Sequence, residues 1–417
     1  MEFILHNCCG LDVHKNTVVA CILKTSNFSV YNNNTEVEKQ IRKFNTFPDE
    51  LLQLKHWLEQ EGCRHVATES TGVYWIPVYE VLETAFDGEI EIVVTNARHM
   101  RNVPGKKSDV KDSEWIAELL GCGLLRSSFI PPQNVRELRE VTRYRKNIVH
   151  DIGMQKNRIE KTLQMAGIKL SSIISDIFGV SGRNLINVLV NKGHLTPEDV
   201  EREARYIVKE KQDKIKIAIN GNLSQPKRDF LKVQLECLDY LLAHLITVES
   251  SIDKLSTPFI EEVERLVTIP GIAKTSATAI IGEIGIDMSK FPTSEHFTSW
   301  AGLAPGSNES AGKKSTHITH GNPYIKGLVV ECAFAATNVR NSYFHNFYFK
   351  LKSKRGGKKA IVAVARKIMV IVYHLLKNKD VYNEDKYEQA KQKQEILRLK
   401  RMSKEASKLG YNLVAID

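Results

Sequence analysis

The chain has 417 residues, 42% of them hydrophobic, with a net charge of +10, so two or three domains with a sizeable core are expected. The opening MEFILHNCCG lacks the basic region of a secretory leader. The best membrane-spanning candidate, residues 360–376, is short and interrupted by Arg366 and Lys367, so a cytoplasmic chain with a buried amphipathic helix and no membrane partner is expected. The seven cysteines are odd in number and form no C-x-x-C pair, which fits a reducing compartment and speaks against a zinc cluster or disulfide frame.

Cys8–Val13 and Thr17–Leu23 read as a hairpin turning at His14-Lys15-Asn16. A weaker third strand is expected near Phe28–Tyr31, before a turn at NNNT, 32–35. Asp49–Glu61 has helical period, 64–70 is strand-like, Trp75–Leu82 is helical and 89–96 is another strand. A basic loop then runs to Ser108, and Asp109–Leu120 is a helix ended by Gly121 and Gly123. Pro131-Pro132 closes this unit, residues 1–132. A hairpin followed by alternating helices and strands implies an α/β domain with a mixed sheet.

Strand signals then vanish. Residues 133–260 read as a long helical linker, in which Leu231, Leu235, Leu238, Leu242 and Leu245 step by three or four. That stripe suits a helical hairpin, an intermolecular coiled coil or a plain helical subdomain. Residues 261–377 form a mainly α C-terminal domain with a Gly-rich loop inside, and 378–417 a charged tail. Residues 341–417 hold 18 Lys and Arg against 7 Asp and Glu, so the rest of the chain is close to neutral. Such asymmetry points to a polyanionic partner, or to a solvated helix face that only aids solubility.

Asp12 ends the first predicted strand and Glu69 ends the strand HVATE. Asp109 and Asp112, three apart, share one face at the start of a helix. Singly, each is well explained as a turn or first-turn residue. Together they are expected to converge at one end of the sheet, where their mutual repulsion would be relieved by divalent cations able to clamp a phosphodiester. Arg98, Arg101, Lys106 and Lys107 flank the acids and could hold a nucleic-acid backbone. An early strand–turn–strand with Asp also occurs in actin-like ATPases, but the second Gly-rich phosphate loop expected there is absent from the sequence.

In the C-terminal domain, IPGI at 269–272 looks like the hairpin of a helix-hairpin-helix, where Gly271 and Lys274 could meet a phosphate; an ordinary helix–helix turn is the alternative. Further on, the loop PGSNESAGKKS places Ser310 before Lys313 and Lys314. A serine there could attack phosphorus with the lysines stabilising charge, or could simply form a turn. His317 and His320 are read as polar loop residues rather than a base, and no G-x-x-x-x-G-K-[ST] loop is present.

GLDVHKNTVVACIL, ATESTGVYWIPVYEVLE and NARHMRNVPGKKSDVKDSEWIAELL resemble, in order, the acidic motifs of the insertion-sequence-110 family of transposases and the related pilin-gene invertases. LVTIPGIAKTSATAIIGEIG and GLAPGSNESAGKKSTHITHGNPYIK are similar to that family's C-terminal domain, in the branch with NESAGK and GNPY. The resemblance implies an RNase H-like (RuvC-type) domain with Asp12, Glu69, Asp109 and Asp112 as Mg²⁺-binding catalytic residues and Ser310 as the nucleophile joining covalently to DNA. It further implies homo-oligomers paired by the helical linker, and a structured guide (bridge) RNA that pairs with donor and target DNA, so that base pairing supplies the sequence information. The linker length and the basic tail match no motif of the family. A metal-dependent junction nuclease using water, or a non-catalytic nucleic-acid-binding scaffold, are the alternative functions.

Overall fold

The computed structural model describes residues 3–25, 37–70, 72–96, 109–218, 221–306, 309–310, 313–314, 318 and 320–411. These form two compact units, residues 1–130 and 131–417.

The first unit is a five-stranded sheet of β1 (Asn7–Val13), β2 (Thr17–Thr25), β3 (Val37–Asn45), β4 (His65–Glu69) and β5 (Glu91–Thr95). Their order is β3-β2-β1-β4-β5; the first three pair antiparallel, while β4 pairs parallel with both β1 and β5. The apolar run of β2 marks a strand covered on both faces. Cys9, Leu11, Ala20, Ile22 and Val66 pack on one face against α1 (Pro48–Gln60) and α2 (Trp75–Leu82). Cys8, Cys21, Leu23 and Ala67 pack on the other with Ile116 and Ala117 of α3 (Asp109–Gly121). Helix α1 begins at Pro48, whose missing N–H costs nothing in a first turn, and Asp49 and Glu50 complement the helix dipole.

The strand expected near Phe28–Tyr31 lies outside the described residues. Among the described residues the third strand is β3, VEKQIRKFN, which shows no apolar alternation because charged side chains fill most of its exposed positions. Such charges are usual on an edge strand, where they discourage pairing with another chain.

The second unit is helical. α4 (Gln133–Met165) packs antiparallel on α8 (Gln225–Ser256). Arg145 meets Glu249 at 2.6 Å near one end, while Gln155 Nε2 donates to the Gln234 carbonyl at 2.8 Å and Thr162 to its side chain at 3.0 Å towards the other. The connection holds α5 (Val180–Lys192), α6 (Pro197–Glu203) and α7 (Lys209–Ala218). Of the leucine stripe, Leu231, Leu235 and Leu238 are buried within the chain and Leu242 is 40% exposed.

The C-terminal part adds α9 (Ile260–Val267), α10 (Lys274–Ile284), α11 (Ser294–Trp300), α12 (Pro323–Thr337), α13 (Tyr343–Arg355), α14 (Gly357–Asn378) and α15 (Glu384–Lys408). α14 contains the 360–376 segment and buries Ile361, Val364, Ile368 and Val372, packed by α11, α12 and α13. Among the described residues no helix is long and apolar enough to cross a membrane. α10 also packs on α4, so residues 133–260 and 261–377 share the one compact unit.

Candidate active site

The sheet geometry brings two of the acids together. The parallel pairing of β1 with β4 ends at Leu11↔Thr68, and one residue further on each strand stand Asp12 and Glu69. Side chains alternate along a strand. Asp12 therefore shares the face of Gly10 and Cys8, and Glu69 that of Ala67, which is the face covered by α3. Both acids stand at the carboxyl ends of their strands, where open α/β sheets place their ligands.

α3 runs antiparallel to β1, because Gly10 lies against Ser113 and Ala117 while Gly121, at the helix C-terminus, lies against Cys8 and Phe3. Its first turn is thereby at the Asp12 end. A Cβ on Gly10 would stand 2.1 Å from the Ser113 carbonyl oxygen and 2.4 Å from the Ala117 nitrogen, so only glycine allows this approach. Asp112, next to Ser113, is half-buried in that turn, and Asp109 opens the helix. The Asp109 side chain, and all of Arg98, Arg101, Lys106 and Lys107, lie outside the described residues.

Asp12 has one neighbour that the sequence suggested only as a turn residue. His14 Nε2 is 3.1 Å from Asp12 Oδ2, with the aspartate side chain 17% exposed and the histidine half exposed. The available signal was the i, i+2 spacing across the hairpin turn. Among the described residues, no three Asp, Glu, His or Cys side chains form a group able to hold a metal ion. Asp12, Glu69 and Asp112 lie on elements that meet at one end of the sheet and are oxygen donors of the kind hard dications take, without closing into such a group.

The serine segment is not an unstructured loop. Ser310 pairs with Lys313 and Glu309 with Lys314, antiparallel, and the bridge Pro305↔Ile318 lies in the same register. Ser310 therefore stands at the end of its short strand. The side chains of Ser310, Lys313 and Lys314, and all of His317, lie outside the described residues. His320 is exposed.

The 269–272 turn joins α9 to α10. Gly271 has φ +87°, and a Cβ there would lie 2.4 Å from the Ala336 nitrogen and 2.5 Å from the Cys332 carbonyl oxygen, so its glycine is required for packing on α12. Lys274 is ion-paired with Asp253 at 2.8 Å, both largely exposed.

One further network carries no signal in the sequence. Glu283 of α10 is 3% exposed and accepts two hydrogen bonds from Arg143, at 2.6 and 2.8 Å, and one from Asn322 Nδ2 at 2.9 Å. Arg139 donates to the Gly282 and Glu283 carbonyls at 3.0 and 2.7 Å. Burial brings the Arg139 guanidinium down to about 10, against the opposing pull of Glu283, and Arg143 and Arg136 act in the same direction as burial. A cavity of about 320 Å³ opens beside it, lined by Arg143, Lys146, His150, Glu283, Tyr324 and Glu331 among others.

Known families match two stretches of the chain. A transposase family model of the DEDD IS110 type matches residues 9–168, and one described as the Transposase IS116/IS110/IS902 family matches 263–349. Two pilin gene-inverting proteins, from Moraxella bovis and Moraxella lacunata, are each 31% identical over 116 residues, 27% of this chain and 36% of theirs. The insertion element IS110 uncharacterized 43.6 kDa protein of Streptomyces coelicolor is 28% identical over 123 residues, 28% of this chain and 29% of its own. The chain thus covers about a third of the length of these relatives. The two family matches together take in more than half of the chain, in the expected order, and the chain belongs to the IS110 family of transposases.

Proposed function

We propose that the chain is a DNA recombinase of an insertion sequence that cuts and rejoins phosphodiester strands, with an RNase H-like acidic domain and a serine nucleophile. The observation that carries this reading is the register of Asp12 beside Glu69 at the carboxyl ends of two parallel strands, on the face where the first turn of α3 brings Asp112. Asp12, Glu69, Asp109 and Asp112 would hold Mg²⁺, which when bound supplies charge stabilisation at the phosphate oxygens. His14, against Asp12, orients that carboxylate.

The Ser310 hydroxyl attacks a backbone phosphorus. A bond from Oγ to phosphorus forms as the bond from phosphorus to one deoxyribose oxygen breaks, and that oxygen takes up a proton. The phosphoserine linkage keeps the phosphodiester's energy, so a deoxyribose hydroxyl from another strand can reverse the step and complete an exchange. Substrates are donor and target DNA, and a structured guide RNA supplies sequence recognition by pairing. The excess of cations in residues 341–417 supports a polyanionic partner. Homo-oligomers complete the reading.

The test is recombination and covalent protein–DNA adduct formation by Ser310→Ala and Asp12→Asn variants, with sequencing of RNA that copurifies with the chain. Loss of adduct in both supports the proposal. Cleaved DNA without any adduct would establish a junction nuclease using water, and wild-type behaviour of Asp12→Asn would leave a nucleic-acid-binding scaffold. Absence of a specific copurifying RNA would remove the guide.

A further inference from the structure

We infer that Glu283, Asn322 and Arg143 are positioning residues that aim the hairpin bearing Ser310, an inference that rests on the serine's role proposed above. The hairpin leaves and re-enters the helical body at one place. A Cβ on Gly321 would sit 2.2 Å from the Gly302 nitrogen and 2.4 Å from the Trp300 carbonyl oxygen, and Asn322 N donates to that carbonyl at 3.1 Å. Both arms are therefore locked together at the root, in the same antiparallel sense as Pro305↔Ile318 and Ser310↔Lys313.

Asn322 joins this root to the rest of the unit. Its Oδ1 accepts from Tyr324 N at 2.9 Å and Ile325 N at 3.4 Å, capping α12, and its Nδ2 donates to the buried Glu283 carboxylate at 2.9 Å. Glu283 is in turn clamped by Arg143 through the two-point hydrogen bond, and the Arg143 guanidinium lies 3.8 Å over the Tyr324 ring. One carboxylate thus ties α4, α10 and the start of α12 to the foot of the hairpin.

A buried ion pair is weak as a source of stability, because desolvation offsets much of the attraction. What it supplies is direction: a forked guanidinium–carboxylate pair and a planar amide fix angles that apolar packing leaves loose. Angles matter here because the hairpin is a lever. Ser310 lies eight positions beyond Gly302, at most ~26 Å of extended chain, so a tilt of roughly 5° at the root moves the serine by up to about 2 Å. A misplacement of ~1 Å at a reacting centre costs on the order of 100-fold in rate.

The experiment uses the purified full chain with its DNA substrate and three readouts: adduct rate, DNA affinity, and hydrogen exchange across residues 303–321. Asn322→Asp places a second carboxylate against Glu283. It is expected to slow adduct formation by ~10-fold or more and to raise exchange in 303–321, with DNA affinity kept within about 2-fold. Combining Asn322→Asp with Glu283→Gln exchanges the amide and carboxylate between partners and restores the 283–322 hydrogen bond, while the glutamine oxygen keeps one of the two Arg143 bonds and the other is lost; both readouts are expected to return part of the way to wild type. Asn322→Asp with unchanged adduct rate and exchange, or a double variant no better than the single one, overturns the inference. If circular dichroism shows that Asn322→Asp does not fold, Asn322→Ala, which removes the bond without adding charge, is held to the same first criterion. If the wild-type chain forms no adduct, the serine's role falls, and the exchange readout alone decides whether this network anchors the hairpin.

Discussion

Gly10 and Ser113 stand in backbone contact: a methyl group on Gly10 would fall 2.1 Å from the Ser113 carbonyl oxygen. This approach sets how deeply α3 lies on the sheet, and so where Asp112 is presented beside the end of β1. Gly10→Ala is expected to push α3 outward and destabilise the N-terminal unit by about 1–3 kcal/mol, the usual cost of overpacking. Thermal denaturation of the full chain measures this as a lowered first transition, and an unchanged curve would show that α3 yields freely at this point.

The proposed carboxylate set makes activity depend on a divalent cation. Chelation is expected to abolish strand cleavage, and Mg²⁺ to restore it. Glu69→Gln and Asp112→Asn should each cost at least ~100-fold in cleavage rate while leaving DNA affinity in chelator unchanged. Cleavage that survives chelation, or that tolerates either substitution, argues that these acids serve only the fold.

Acid should loosen the α5–α6 region first through Asp199. Its carboxylate is almost fully buried; Lys192 donates to it at 2.7 Å, and it closes the N-terminal cap of α6 with Thr196 and also meets Arg202. These partners, Lys192 foremost, hold its pKa well below the ordinary carboxylate range. A folded-state value lower than the unfolded one contributes stability above the unfolded pKa of ~3.9, and the contribution is lost as pH falls from there towards the folded value. The melting-temperature gap between wild type and Asp199→Asn is therefore expected to be constant from about pH 7 to 5 and to shrink below ~pH 4. A gap independent of pH would assign the effect to shape rather than charge.

The C-terminal segment divides into a docked part and a basic part. Tyr382 N donates to Thr268 Oγ1 at 2.9 Å and its ring stacks on Phe344 at 5.9 Å, so the chain is held to the body as far as the start of α15. Residues 386–417 carry eight Lys and Arg against four Asp and Glu. Truncation after Asp385 should preserve the melting temperature, weaken nucleic-acid affinity and flatten its logarithmic salt dependence by ~0.9 for each phosphate that the tail neutralises. An unaltered slope would show that the tail meets no phosphates.

Much of the N-terminal unit was legible in the sequence. The apolar alternation of β1 and β2 around a polar turn, the helical period of α1 and the boundaries of α2 and α3 are local signals, and each acid stood at a recognisable end of such an element. β3 was not legible, because an edge strand with charged exposed positions lacks apolar alternation. The serine strand pair was not legible for a related reason: Glu309, Ser310, Lys313 and Lys314 are polar, pair through their backbones and leave no hydrophobic period.

The residue order alone determined most of the helices, the strands β1, β2, β4 and β5, where the acids fall on them, and where the positive charge gathers, since each is set by neighbours within a few positions. Tertiary structure decided what those segments meet. That Asp12 adjoins Glu69 depends on the register of two strands more than fifty residues apart, and that Glu283 holds Asn322 and Arg143 depends on three helices packing at one point. Such pairings are chosen by burial and by the need to satisfy every polar group it encloses, and that choice leaves no periodic trace along the chain.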